Sequence, residues 1–218
     1  MRSLAQPTVL ARAGLAAAAT TLACYPRLAD WNERPWPLPF GLLMMCVTTF
    51  VLWAFVFAWH EQYTGKPVFP ATMKPKLWGI ATVYGITAAI LLTFCFDPEY
   101  RLSSPTSYPK NVPAWIGMTL FAIAFDPLFH TFAAYAFFVR LARRQHVATA
   151  LTVIFGAFLS FLKLHGAHKQ PPGWVMAEVM AGTVAGGFLS IYFYLEGGAW
   201  LVWWLLLLTQ LRLLVSLI

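Results

Sequence analysis

Residues 114–138 read AWIGMTLFAIAFDPLFHTFAAYAFF, a run of 25 residues in which Asp126 is the only charged side chain. A helix that crosses a bilayer needs about 17–25 mostly apolar residues. This run has that length and composition, so the sequence predicts a transmembrane helix here. Because Asp126 and Pro127 stand in its middle, the same run also holds the residues that most need a functional explanation.

The rest of the chain repeats this pattern and predicts an all-α, polytopic bundle of six to seven transmembrane spans. Pro-rich stretches separate most of the apolar segments, because proline cannot continue a helix interior. Arg12 interrupts the first segment, for which a signal peptide or an interfacial helix is an alternative to a first span. The predicted spans cover about residues 9–25, 39–59, 77–96, 114–138, 147–164, 174–195 and 199–218.

Composition excludes several classes of protein. Of the 218 residues, 60% are hydrophobic and 11% are charged, whereas about 25% of residues are charged in a soluble domain. This excludes a soluble globular enzyme, a disordered chain and an ordinary nucleic-acid binder. The expected partners are membrane lipids and other integral membrane proteins, with no nucleic acid. The three cysteines lie in apolar runs without CxxC spacing, so we expect buried thiols.

The distribution of basic residues predicts the orientation, because cytoplasmic loops carry an excess of Lys and Arg. We predict an integral protein of the inner (cytoplasmic) membrane with a cytoplasmic N-terminus. Seven spans would place the C-terminus outside, whereas six would return it to the cytoplasmic side. The predicted cytoplasmic side carries Arg2, Arg12, Lys66, Lys74, Lys76, Arg140, Arg143 and Arg144, and the other side carries Arg27, Arg34, Arg101, Lys110 and Lys169.

Asp126 is the strongest candidate for a functional residue, because a charge inside a bilayer is costly. Pro127 has no backbone N–H, which frees the carbonyl of Ile123 and predicts a kink. His130 follows Asp126 by four positions and therefore shares its helix face. Such a pair can hold a proton, position a water molecule or bind a metal. The alternative is a packing role, in which Asp126 caps the broken helix and pairs with His130 or Arg140.

His165 ends the next predicted span and completes the set of candidate catalytic residues, Asp126, His130 and His165. Glu178 lies about one turn inside the following span and can face His165 across the loop, so it is a possible fourth member. The alternative for His165 is an interfacial hydrogen bond. The spacing of these residues carries no metal signature, and neither a metal nor a cofactor is expected. Gly182 and Gly186 form a small-residue face suited to helix packing.

The C-terminal half resembles the CPBP family of CAAX-protease and bacteriocin-processing (Abi) intramembrane proteins. That family reads E-E-x-x-x-R, F-x-x-x-H, a Y-x-x-T-G-S-L-W turn and H-x-x-x-N. Residues 125–130 (FDPLFH) fall at the first motif, 161–165 (FLKLH) match the second, and 194–200 (YLEGGAW) resemble the turn. The last motif falls on Leu206 and Gln210. The resemblance implies a CPBP-like core over about residues 114–212.

The family's catalytic residues are mostly replaced. Its first glutamate, thought to activate water, is Phe125 here, and its second is Asp126. The arginine becomes His130, and the final His and Asn, thought to support the oxyanion, become Leu206 and Gln210. Of these positions only His165 keeps the family's residue. The resemblance therefore implies the fold and argues against protease activity, as in a pseudoenzyme.

We therefore predict one membrane domain over residues 1–218, with the CPBP-like core at about 114–212 and N-terminal spans at about 9–96. The predicted function is a non-proteolytic binding or scaffold subunit of a membrane protein complex. The alternative is an intramembrane hydrolase of the glutamic-protease type that uses Asp126, His130 and His165. A weaker alternative is a lipid or pigment binder that uses the aromatic faces.

Overall fold

The chain folds into a bundle of long helices. The computed structural model describes residues 4–31, 36–103, 108–165, 172–215 and 217, apart from the side chains of Glu99 and Ser103. Within these ranges the structure has seven helices and no strand, and six of the helices are long and apolar enough to cross a membrane. The all-α fold class is confirmed, and the chain is an integral membrane protein. The helices are α1 (Pro7–Asp30), α2 (Leu38–Thr64), α3 (Pro75–Phe96), the short α4 (Asp97–Ser103), α5 (Val112–Ala142), α6 (Gln145–His165) and α7 (Gly173–Val215).

The least apolar predicted segment forms α1, which packs into the bundle as a first span. Its buried face carries small residues such as Ala13 and Ala17, and the Trp53 indole N–H of α2 donates a hydrogen bond to Thr20 at 3.0 Å. Cys24 on this face is buried as predicted, but Cys95 on α3 is exposed, so the prediction of buried thiols is wrong there. Lipid tails are as apolar as a protein core, so an apolar sequence does not by itself predict burial in a membrane protein.

Helix α7 contains the last two predicted spans as two arms, residues 173–197 and 199–215, which meet at Gly198. Along the first arm, Phe193 packs against Tyr84 of α3 with ring centroids 6.0 Å apart, and Gly182 lies beside Phe96. Residue numbers on the two elements thus change in opposite directions. The first arm of α7 therefore runs antiparallel to α3.

The second arm of α7 runs parallel to α3. Trp204 donates its indole N–H to Thr82 at 2.9 Å, and Gly85 faces Leu208 one turn further along both helices. The chain therefore reverses direction at Gly198, whose φ of 65° and ψ of −161° are not helical. The two arms form a helical hairpin and account for the predicted spans 174–195 and 199–218.

The loop between α2 and α3 packs against the turn at Gly198. The backbone N–H of Ala199 donates to the carbonyl of Val68 at 2.9 Å. Lys66 of the same loop pairs with Glu196 at 2.9 Å. A side chain at Gly198 would overlap the Val68 carbonyl, so glycine is required here by space as well as by its positive φ.

Helix α5 is interrupted where the sequence predicts it. Regular α-helix ends at Ala124, a π-helical turn covers Leu128–Ala133, and α-helix resumes over Ala134–Ala142. The missing N–H of Pro127 explains the interruption. A second π-helical turn, Val56–His60, lies near the end of α2. Such turns insert an extra residue per turn and occur often at functional sites.

Candidate functional site

A cleft between α5, α6 and the first arm of α7 brings two predicted site residues together. Asp126 and His130, from the interrupted part of α5, line this cavity of about 190 Å³. A carboxylate, an imidazole and hydroxyl groups in the middle of a membrane segment form a polar site where lipid-facing residues would be apolar. The hydroxyl side chains that line the cleft are Thr131, Thr152, Ser160, Thr183 and Ser190.

Asp126 is accessible within the cleft. In the part of the chain that the structure describes, its carboxylate has no hydrogen-bond or ion-pair partner, and no hydrogen bond joins it to His130. The predicted packing partner Arg140 lies instead over the ring of Trp59, 4.2 Å from its centroid. The positive charge of Lys163 on α6 acts electrostatically on both Asp126 and His130. The carboxylate is therefore available to a water molecule or to a polar ligand.

His165 and Glu178 do not join this cleft. His165 is exposed at the end of α6 and stacks on Phe161, with ring centroids 5.1 Å apart. Ser160 lines the cleft, and His165 follows it by five positions, which is roughly 140° around the helix. Glu178 is exposed on the first arm of α7. The structure thus unites Asp126 and His130 but separates them from the other two predicted residues.

The described residues contain no group of three His, Cys, Asp or Glu side chains that could hold a metal ion. Asp126, His130 and His165 accordingly do not form a three-ligand set. The chemistry that the cleft can support is that of one carboxylate and one imidazole. These groups can orient water or move a proton.

A second polar cluster lies deeper in the bundle, and the sequence reasoning missed it. His60 of α2 is fully buried, and its ring centroid lies 4.4 Å from that of Tyr194 and 6.4 Å from that of Tyr135. We call these three residues the His60 cluster. His60 ends the π-helical turn of α2, and Tyr135 follows the π-helical turn of α5 within two residues. The backbone irregularities of α2 and α5 therefore meet at this cluster.

The polar atoms of the His60 cluster are buried without partners among the residues described. Neither ring nitrogen of His60 makes a hydrogen bond, nor do the hydroxyl groups of Tyr135 and Tyr194. Each such group costs about 1–3 kcal/mol relative to a satisfied one, and buried polar groups are normally hydrogen-bonded. In the sequence, residues 60–64 read HEQYT, which is not the HExxH zinc motif because residue 64 is threonine. A histidine directly after the apolar run FVFAW is the signal that would have pointed to a buried site.

A third polar group lies where α4 begins and the second arm of α7 ends. Arg212, near the end of α7, binds both carboxylate oxygens of Asp97 at 2.6 Å. The Tyr108 hydroxyl donates to the same carboxylate at 2.7 Å. Burial and this hydrogen bond to Asp97 raise the pKa of Tyr108. The arrangement fixes the end of the second arm of α7 to the start of α4.

No family model, no curated protein and no solved structure matches the chain. The function is therefore argued from geometry. The relevant features are the Asp126 cleft, the His60 cluster and the surfaces that the bundle leaves open.

Proposed function

We propose that the protein is a non-proteolytic binding subunit of a membrane protein complex. The observation that carries this proposal is an exposed face of small residues on the first arm of α7, formed by Ala181, Gly182, Ala185 and Gly186. We call it the small-residue face. A side chain added at Gly186 would meet no atom within 4 Å, so the surface beyond it is open.

Small residues favour a partner helix for a physical reason. Apolar helices gain nothing from leaving lipid for another apolar surface, so helix association in membranes depends on close van der Waals contact. Glycine and alanine allow two backbones to approach closely enough for that contact. The small-residue face therefore provides what a neighbouring transmembrane helix needs.

The proposal includes a CPBP-like core that has lost its chemistry, as the sequence resemblance implies. Asp126, His130 and Leu206 occupy three positions of the family's catalytic motifs, and all three line the cleft. Leu206 can neither donate nor accept a hydrogen bond, and losing one oxyanion donor typically costs about 2.7–4 kcal/mol. His165, the position that keeps the family's residue, lies outside the cleft. A retained fold with dismantled chemistry fits a recruited binding subunit.

The test is the mass of the particle that the full chain forms. The tagged protein is extracted in mild detergent and its protein mass is measured by size exclusion with light scattering. We expect a mass that exceeds the 24.4 kDa chain by a fixed amount, with a second membrane protein present at a constant ratio by mass spectrometry. A monodisperse particle that contains one copy of this chain alone would contradict the proposal.

An intramembrane hydrolase is the second candidate, favoured by the shared cleft of Asp126 and His130. The purified protein is assayed against prenylated and unprenylated membrane peptides, beside Asp126→Ala and His130→Ala. The binding-subunit proposal predicts no turnover by any of the three. Turnover by the wild type that both substitutions abolish would establish the hydrolase instead.

A further inference from the structure

A long groove runs beside α1, apart from both the Asp126 cleft and the small-residue face. Its volume is about 750 Å³, and it is bounded by α1, α2, α5 and the second arm of α7. Sites for small ligands typically measure about 300–1,000 Å³. The groove is therefore large enough for part of a lipid.

The α1 wall of the groove is a narrow strip of one helix face. Arg12, Ala19 and Ala23 lie along it at helical spacing, and the alanine side chains are too short to fill the space. Trp53 also lines the groove, and its indole N–H is bonded to Thr20 at 3.0 Å. The Trp203 indole N–H has no hydrogen-bond partner among the described residues. Most of the other lining side chains are apolar, so the groove suits a hydrocarbon chain.

One end of the groove carries the two charged residues of its lining, Arg12 and Glu61. Arg12 is exposed there, and among the described residues its guanidinium has no acidic partner. Glu61 lines the same end but is engaged in an interaction of its own. A guanidinium group binds phosphate through paired, charge-assisted hydrogen bonds. The Arg12 guanidinium is therefore the group at this end that can bind a phosphate headgroup.

The length of the groove matches one leaflet. Arg12 and Ala23 are separated along α1 by roughly 16 Å, at 1.5 Å per residue. This is about half of the ~30 Å hydrocarbon core of a bilayer. A molecule with its phosphate at Arg12 and an apolar tail reaching Ala23 would extend from the interface to the middle of the membrane.

We propose that this groove binds one diacyl anionic phospholipid from the leaflet on the N-terminal side. Its phosphate pairs with Arg12, and an acyl chain lies along Ala19 and Ala23. The proposal does not depend on the small-residue face or on the function assigned to it. A lipid held in the groove would cover α1 and leave the first arm of α7 free.

The experiment measures lipid retention by the full-length protein. The protein is delipidated in detergent, mixed with phosphatidylglycerol or with diacylglycerol of the same acyl chains, and analysed by native mass spectrometry. We expect one phosphatidylglycerol to be retained and diacylglycerol to be lost. Arg12→Gln should lower phosphatidylglycerol retention by roughly tenfold, the scale of one charge-assisted contact. Arg144→Gln, which removes an exposed arginine outside the groove, should leave retention unchanged.

A second substitution tests the acyl-chain part of the groove. Ala19 is exposed in the groove, so Ala19→Trp should fill it without unfolding the helix, which thermal unfolding checks. Phosphatidylglycerol retention should fall as it does for Arg12→Gln. The proposal is overturned if diacylglycerol binds as well as phosphatidylglycerol, or if Arg12→Gln and Arg144→Gln behave alike. Undiminished retention by Ala19→Trp would also overturn it.

Discussion

At the scale of single residues, the His60 cluster is the least expected feature of the molecule. Three aromatic side chains from α2, α5 and α7 meet in the core, and four of their polar atoms lack a hydrogen bond within the described structure. Replacing such a group by an apolar one of the same shape removes a desolvation penalty. The cluster can therefore be tested by deleting hydroxyl groups one at a time.

We predict that Tyr194→Phe does not lower the stability of the protein. The Tyr194 hydroxyl is buried without a partner, so its removal costs no hydrogen bond. Tyr108→Phe is the matched control, because that hydroxyl donates to the Asp97 carboxylate. The control should lose about 1.5–3 kcal/mol, as expected for a hydrogen bond to a charged group. Thermal unfolding in detergent measures both, and an equal loss in the two variants would show that Tyr194 does have a partner.

Tyr108 also predicts a dependence on pH. Burial and the hydrogen bond to Asp97 raise its pKa in the folded protein, so the folded state holds the phenolic proton more tightly than the unfolded chain. The resulting stabilisation is complete below the unfolded pKa of about 10 and is lost as pH rises through the folded pKa. The difference in unfolding free energy between wild type and Tyr108→Phe should therefore shrink above about pH 10. A difference that stays constant or grows as the pH is raised through this range would exclude the linkage.

At the scale of helices and turns, the hairpin in α7 depends on one residue. Gly198 has a positive φ and faces the carbonyl of Val68, so both its backbone and its lack of a side chain are needed. Gly186, twelve residues earlier, is helical, and a Cβ added there would meet no atom within 4 Å. The same substitution at the two glycines should therefore have opposite effects.

We predict that Gly198→Ala destabilises the protein, whereas Gly186→Ala does not. The strained backbone alone costs about 1–3 kcal/mol at Gly198, and the overlap with the Val68 carbonyl adds to it. In a helix interior, alanine is favoured over glycine by roughly 0.5–1 kcal/mol. Unfolding midpoints of the two variants in the same detergent provide the comparison. Equal midpoints would mean that the turn at Gly198 is not built as described.

The positions of the spans and the break in α5 follow from the sequence, because apolar run length and proline act locally. Asp126 and His130 were also predictable, since a spacing of four fixes a shared helix face. His165 was not, because a motif fixes order along the chain but not rotation about a helix. The His60 cluster depends on contacts between three helices that are distant in sequence. The apolar run before His60 indicates a buried site, but no local pattern indicates which residues of the other helices His60 contacts.

At the scale of the whole molecule, two ion pairs of the described residues lie at opposite ends of the bundle. Lys66 and Glu196 pair at one end, beside the turn of α7. Asp97 and Arg212 pair at the other end, near the close of the second arm. If each arm of α7 crosses the membrane, as the other long apolar helices are expected to, the described helices make seven crossings. The N-terminal and C-terminal ends then lie on opposite sides.

Topology mapping tests this arrangement and the proposed cytoplasmic N-terminus together. Single cysteines in a cysteine-free chain are labelled with a membrane-impermeant reagent from outside the cell. We expect labelling of a cysteine placed at Lys110 or in a C-terminal extension. A cysteine placed at Lys74 or Arg144 should not be labelled, because basic loops favour the cytoplasmic side. Labelling of Lys74 together with Lys110 would contradict the helix order. Labelling of Lys74 and Arg144 alone would reverse the proposed orientation.

The central claim is that the small-residue face of α7 binds another membrane protein, and its most direct test is a bulky residue on that face. A Cβ added at Gly186 would meet no atom within 4 Å, so Gly186→Leu should leave the fold intact while it pushes a partner helix away. Gly79→Leu is the matched control, because Gly79 is also exposed with nothing within 4 Å but lies on α3.

The measurement is the protein mass of the purified particle for wild type and both variants. We predict that Gly186→Leu reduces the particle to the 24.4 kDa chain, while Gly79→Leu keeps the mass of the wild type. The unfolding midpoint of each variant confirms that it is folded. A Gly186→Leu particle with the full wild-type mass would contradict the claim that this face is the binding surface.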